Sequence, residues 1–374
     1  MRMHLPRPGV SSRPVPRPVS NPPNPWSSTQ VSYLEEAPAA TLEVFEEEAR
    51  SLLSANDSPD LPFRYSANPY RGCIHACAYC YARPSHQYLG WGAGTDFDRK
   101  IVVKTNAAEV LRRELLRESW RGETIVLSGN VDCYQPLEAS YGLTRRLLEV
   151  CLDLKNPVGV ITKGALVKRD VDLLAALARR ARVRVHLSIT FADDALARKI
   201  EPYASRPSLR FEAMRALSDA GVPTGISVSP IIPGLNDADI PELLARAREA
   251  GASTAFMQPV RLSREVLPVF DERLEAALPG QADKVRRAIR EMRGGKMNES
   301  EFGARFHGNG ARWQAIEQLF EIHCRRLGIE TGRFADEEEQ PSTFQRPGQL
   351  SLLDVGPGVG PGGGEKAAPG RRRA

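Results

Sequence analysis

Between about residues 60 and 262, short runs of β-branched and other apolar residues alternate with longer stretches in which apolar positions recur every three or four residues. The short runs predict strands at 64–67, 124–128, 158–162, 183–190, 224–230 and 254–259, with an extra edge strand at 100–104. The periodic stretches predict amphipathic helices at 107–119, 142–155, 171–181, 208–220 and 240–250. Leu147, Val150, Cys151 and Leu154 mark the apolar stripe of the second helix. Such alternation builds a parallel sheet through right-handed crossovers. Six units are too few to close an eight-stranded barrel, so the expected α/β fold is an open partial barrel of (β/α)6 type. A helical C-terminal extension is expected at 263–334.

Composition adds the ends. The chain has 374 residues, 41% of them hydrophobic, enough for one sizeable domain with disordered termini. Residues 1–30 carry repeated Pro with Arg and Ser and no apolar period, and 335–374 are acidic, then rich in Gly, Pro and Arg. Both are expected to be disordered, with Leu350, Leu352 and Leu353 as a small apolar island. No apolar run is long enough to cross a membrane and none reads as a secretory signal, so a cytoplasmic location without a membrane partner is expected. Much of the formal net charge of +5 sits at the ends, in Arg2, Arg7, Arg13 and Arg17 and in Arg371, Arg372 and Arg373. These tails either solubilise the chain or add weak, salt-sensitive attraction to nucleic acid.

The chemistry concentrates in Asn68-Pro-Tyr-Arg-Gly-Cys-Ile-His-Ala-Cys-Ala-Tyr-Cys-Tyr81. Cys73, Cys77 and Cys80 form a Cys-x3-Cys-x2-Cys triplet, which puts three thiolates on one tight loop. A cubane [4Fe–4S] cluster needs four ligands, so three leave one iron open to chelate an amine and a carboxylate, as on the methionyl end of S-adenosylmethionine (SAM). Zinc is the competing reading of short cysteine spacings, but it needs a fourth ligand nearby. The next cysteine, Cys133, is far along the chain, and His75 lies between two of the thiols. A disulfide is disfavoured because three cysteines cannot pair off.

With Tyr79 directly before the third cysteine, the motif resembles that of the radical SAM superfamily. Asn-Pro-Tyr-Arg-Gly-Cys before the triplet and Tyr-Ala-Arg-Pro-Ser-His after it resemble an uncharacterised bacterial group related to spore photoproduct lyase, over about residues 60–330. The resemblance implies a partial barrel of the radical SAM type over 60–262, a [4Fe–4S] cluster on Cys73, Cys77 and Cys80, and SAM as cosubstrate. It also implies an electron donor such as flavodoxin or ferredoxin, and a substrate that includes DNA or RNA among its candidates. Cys133 becomes a candidate hydrogen-atom donor by the same resemblance, since the lyase uses a loop cysteine in that role.

Polar residues end the predicted strands: Ser128-Gly129-Asn130, Thr162-Lys163, Ser188, Ser229 and Gln258. Lys163 suits the methionyl carboxylate as a point charge, and Ser128 and Ser188 suit its amine, its carboxylate or the ribose. Gly129 permits close backbone approach to SAM. Ser-Gly-Asn stands where the superfamily usually has Gly-Gly-Glu, which removes the acidic contact to the amine and leaves Asp132 as the nearest carboxylate. Asn68 and Arg71 are expected to orient the cluster loop, Cys151 and Cys324 to be core. The glycine-rich basic stretch 292–310, with Phe302 and Phe306, reads as a helical cap over the barrel or a nucleic-acid contact. The chain is thus expected to be a SAM-cleaving enzyme, with a cluster-containing nucleic-acid-binding or redox-sensing protein as the alternative.

Overall fold

The computed structural model describes residues 41–332 and 341–347. Six parallel strands form the body of one sheet: β1 (Tyr65–Ala67), β2 (Ile125–Leu127), β3 (Val158–Thr162), β4 (Val183–Ser188), β5 (Thr224–Ile231) and β6 (Thr254–Pro259). They neighbour one another in chain order, as right-handed βαβ crossovers require. Leu53–Ala55 adds an antiparallel edge beside β1, and Glu330–Thr331 a parallel one beside β6. The sheet stays open. Val126, Val160, Val185, Ile226 and Ala255 are all fully buried, because a parallel sheet covered on both faces needs apolar residues throughout.

Helices α1 (Ala107–Leu115), α2 (Leu143–Asp153), α3 (Val171–Arg180), α4 (Pro207–Asp219) and α5 (Ile240–Glu249) follow the strands. The stripe of Leu147, Val150, Cys151 and Leu154 is buried, as its period requires. Beyond β6, the chain forms α6 (Val266–Ala277), α7 (Ala282–Met292) and α8 (Gly310–Leu327), the last packed on α5 and α7. Cys324 is buried on α8.

Two local features differ from the sequence reading. Lys100–Lys104 is not an extra edge of the main sheet. It is the centre of a second, three-stranded sheet, parallel to Glu43–Glu47 and antiparallel to Tyr70–Arg71. Its run Ile101, Val102, Val103 is buried, and the partner that makes it central lies more than fifty residues earlier, beyond the reach of local pattern. Residues 341–347 fall inside the stretch expected to be disordered, yet they lie against the body. Gln345 N donates to Leu154 O (2.8 Å), Thr343 Oγ1 to Lys155 O (2.8 Å) and Arg346 Nη2 to Trp120 O (3.0 Å). The expectations for 1–30, for the remainder of 335–374 and for the Leu350 island lie outside the described residues. Among the described residues, no helix is long and apolar enough to cross a membrane.

Candidate active site

Where β2 to β6 end, a cavity of about 460 Å³ opens, within the usual size of small-molecule sites. Its lining brings together Cys73, Cys77, Tyr79 and Cys80 from one loop with Ser128, Gly129, Lys163, Ser188, Ser229 and Gln258 from the strand ends. Residues scattered over more than 180 positions thus meet in one place. Ser227 of β5 joins them, unpredicted.

The cysteine loop is neither helix nor sheet, so its carbonyls need further donors from outside it. Arg83, fully buried, supplies one, Nη2 donating to Cys77 O (2.9 Å), and its Nη1 ties the loop to the stretch that follows by donating to Ala93 O (3.1 Å) and Gly94 O (2.9 Å). Asp98 receives the same guanidinium at 2.9 Å and, on its other oxygen, Arg273 of α6 at 2.6 Å. Arg273 also donates to Ala76 O, so the C-terminal extension grips the loop between the first two cysteines. Gln135 closes the other side, accepting from Ile74 N (3.0 Å) and donating to Gly72 O (3.0 Å). Gly72 has φ +78°, and a Cβ there would stand 2.9 Å from Lys100 O, so a side chain is excluded on both counts.

The orienting role expected of Asn68 and Arg71 thus falls to Arg83, Arg273 and Gln135. Asn68 Oδ1 instead accepts from Asn130 N (3.3 Å) and Val131 N (3.1 Å), fixing the loop after β2. Arg71 is exposed and pairs with Glu47. His75 packs its Nδ1 3.4 Å from Asp132 Oδ2. Asp132 also accepts from Tyr134 N (2.9 Å), Thr162 Oγ1 (2.6 Å) and Lys163 N (2.7 Å), and although burial works to raise its carboxyl, these partners hold it well below the usual range. Its oxygens are engaged, so the carboxylate that the motif lacks is not replaced by Asp132 in this arrangement.

Tyr79 leads to a second buried network. Its hydroxyl donates to Glu201, which pairs with Arg210; Arg210 in turn donates to Ser188 O (2.7 Å) and Ser205 O (2.6 Å). Burial works to raise the Glu201 carboxyl, and the charges of Arg210 and Lys163 outweigh it, so the group stays ionised below the usual carboxylate range. Lys163 Nζ lies 5.6 Å from the Tyr79 ring centre. Neither Glu201 nor Arg210 was legible from sequence, because each occupies an ordinary loop or helix position until the fold buries them together.

Ser128 and Gly129 reach the cavity through a tight turn. Ser128 adopts φ +82°, and its Oγ accepts from Cys133 N (2.8 Å). A Cβ on Gly129 would stand 2.7 Å from Ser66 Cβ, so only glycine lets the two backbones approach this closely. Cys133 itself is fully buried, outside the cavity lining, in the core cluster with Tyr134 and Leu147. Burial pushes its thiol up, as it pushes Cys77 up to about 12.

Over the mouth lie Phe302, Arg305 and Phe306 from the stretch between α7 and α8, with Arg261 after β6. Burial, and next to it the Arg305 charge, draws Arg261 below its ordinary range. Of the other basic residues of this region, Lys296 pairs with Glu299 and Arg312 with Glu291, and neither lines the cavity.

Residues 67–247, just under half of the chain, match the model of the Radical SAM superfamily. An uncharacterized protein of Mycobacterium tuberculosis is 43% identical over 195 residues, which are 52% of this chain and 57% of that protein. The radical SAM Nα-GlyT isomerase of Pseudomonas phage M6 is 26% identical over 209 residues, covering 55% of this chain and 41% of the isomerase. The chain thus spans little more than half the length of the mycobacterial relative. Among solved structures, spore photoproduct lyase complexed with dinucleoside spore photoproduct has the same fold, with a TM-score of 0.54 at 16% identity over 77% of this chain and 81% of the lyase.

Members of this superfamily bind a [4Fe–4S] cluster and SAM, and the residues of the cavity fit both. Its three cysteines are free thiols. Among the described residues, no three Cys, His, Asp or Glu side chains converge on one ion. A single zinc would draw its sulfurs to within roughly 4 Å of one another, since each Zn–S bond is about 2.3 Å. Three thiols that line one cavity can each ligate a different iron of a cubane cluster. Ser229 Oγ and Gln258 Nε2 are buried without hydrogen-bond partners in the same lining, as groups awaiting a polar ligand are.

The Glu201–Arg210 pair makes a checkable claim on stability. Glu201→Ala should cost about 3–5 kcal/mol, because it strands a buried guanidinium, whereas Tyr79→Phe, which removes one hydroxyl from a charged acceptor, should cost about 1–3 kcal/mol. Urea unfolding of the three proteins measures both. A loss below 1 kcal/mol (roughly, for the alanine variant) would contradict the network described.

Proposed function

We propose that the protein is a radical SAM enzyme in which Cys73, Cys77 and Cys80 hold the cluster and Lys163, Ser128 and Ser188 hold SAM. The observation that carries this reading is the convergence of the three thiols and the strand-end polar groups on one cavity, two of whose polar atoms are buried without partners. When bound, the pair supplies one-electron reductive cleavage of SAM to methionine and a 5′-deoxyadenosyl radical, which takes a hydrogen atom from an organic substrate. The electron comes from a donor of flavodoxin or ferredoxin type.

The chain's own part is placement and exclusion of water. Lys163 offers a point charge to the methionyl carboxylate, Ser128 and Ser188 offer hydroxyls to the methionyl end or the ribose, and Gly129 lets backbone approach. Tyr79 is fixed by Glu201, so the third cysteine and the SAM pocket share one buried brace. The Phe302–Phe306 stretch shields the mouth, and the target C–H bond must lie beneath it to be attacked productively. A nucleic-acid base or lesion is the substrate class that likeness to the lyase favours. Cys133, placed in the core, is the less suitable donor of a returning hydrogen atom, because a donor must reach the cavity. A cluster-bearing binder or redox sensor without SAM turnover would have no use for strand-end polar groups gathered on one cavity, two of them buried without partners.

Two outcomes follow. Cys73→Ala, Cys77→Ala and Cys80→Ala should each lose cluster iron and sulfide and the visible charge-transfer band after reconstitution, while Cys133→Ala, Cys151→Ala and Cys324→Ala keep them. Near-full occupancy in any one of the first three removes that residue from the ligand set. Separately, Lys163→Ala should keep its iron and weaken SAM binding by roughly 1–3 kcal/mol, the range for a charge-assisted hydrogen bond. Unchanged affinity by calorimetry rejects Lys163 as a SAM contact.

A further inference from the structure

At the mouth of the cavity stands a cation, Arg261, that forms no ion pair among the described residues, although the charge of Asp60 acts on it. Arg261 is half-buried in the lining, its guanidinium 5.0 Å from the Phe306 ring centre and its Nε buried without a hydrogen-bond partner. Two carboxylates, Asp57 and Asp132, share the lining, and Asp60 lies beside it. Asp60 is held by Arg305 Nε (2.6 Å) and Gly303 N (2.8 Å), Asp132 by the contacts given above, and Asp57 is exposed to solvent. Arg305, already paired, serves as a brace: it lies 4.4 Å from the Phe302 ring and 5.0 Å from that of Phe306. Phe302 remains 64% exposed, an apolar ring left in water at the entrance.

A desolvated guanidinium beside the Phe306 ring, with the Phe302 ring braced on Arg305 in the same lining, matches a ligand with an anion and a flat π-face a short distance apart. A nucleotide has both, and base–aromatic stacking with a phosphate on arginine is how single strands are gripped without regard to sequence. A duplex keeps its base faces stacked inside and cannot offer them to Phe302. We infer that Arg261 and the Phe302–Phe306 shelf read the substrate, the guanidinium taking a phosphate and the rings stacking the neighbouring base of a single-stranded or extruded nucleotide. This rests on the reading that the substrate enters the same cavity, and it assigns the recognition to particular residues.

The test uses the full chain, reconstituted and loaded with SAM, and a fluorescein-labelled oligothymidylate of about eight nucleotides, near the site size of one single-strand module. Anisotropy should show binding that Arg261→Gln weakens at least about tenfold, as loss of a charge-assisted contact does. The salt slope should shrink by about 0.7, the share of one phosphate on a single strand. Phe302→Ala, at an exposed position where folding is not at stake, should weaken binding about fivefold or more with its salt slope kept. Arg117→Gln, an exposed arginine outside the cavity lining, should stay within twofold (roughly), as a screened surface charge does. Equal binding by wild type, Arg261→Gln and Phe302→Ala overturns the inference, as does equal displacement by polyglutamate, which would mark an acidic peptide as the better ligand. If wild type fails to bind the oligonucleotide while calorimetry still records SAM binding, this inference falls and the cofactor assignment stands; loss of both removes the cofactor assignment as well.

Discussion

A loop that carries three cysteines to the edge of a cavity satisfies only part of its own backbone: Ala76 N and Cys80 N donate to Cys73 O and Cys77 O (both 3.3 Å), and neither helix nor sheet supplies the rest. Its carbonyls therefore have to find further donors elsewhere, and in a buried setting each one missed costs about 1–3 kcal/mol. Arg83, Asp98 and Arg273 meet that constraint together. The arginines neutralise one buried aspartate from two sides and place their remaining N–H groups on Cys77 O and Ala76 O. Since Arg273 belongs to α6, the C-terminal extension is part of what fixes the cysteines. The same constraint explains Gly72, whose left-handed turn admits no side chain against Lys100 O.

A second buried ion pair does for the strand ends what the first does for the cysteines. Glu201 and Arg210 tie the Tyr79 hydroxyl to Ser188 O, joining the cysteine loop to the end of β4. Most polar groups of the two networks have partners inside the protein, although Arg83 Nε is buried without one. In the cavity, Ser229 Oγ, Gln258 Nε2 and, at the mouth, Arg261 Nε are buried without hydrogen-bond partners, as are Ser263 Oγ, Arg293 Nε and Trp313 Nε1 elsewhere among the described residues.

Much of this could be read from the chain because the relevant signals are local. The strands 158–162 and 254–259 are apolar runs bounded by polar residues, and the structure has β3 and β6 at those residues. The triplet spacing is a single-loop feature, and the polar residues after the strands follow from where a parallel sheet puts its strand ends. What could not be read is set by distance. Arg273 and Asp98 are 175 residues apart, and the strand Glu43–Glu47 that makes Lys100–Lys104 central is equally invisible to a local window. The side on which Cys133 falls depends on how the turn after Ser128 is wound, through its positive φ, and a serine gives no warning of that conformation.

The central claim is that this cavity holds cluster and SAM together and cleaves SAM. Reduced, reconstituted protein incubated with SAM, with the product followed by mass spectrometry, tests it most directly. Formation of 5′-deoxyadenosine and methionine that depends on reductant and on the intact cysteine triplet is the result the structure predicts. Cluster-loaded protein that binds SAM and yet forms no 5′-deoxyadenosine with any of several low-potential reductants would contradict it, and would leave the fold as a cluster-bearing binder.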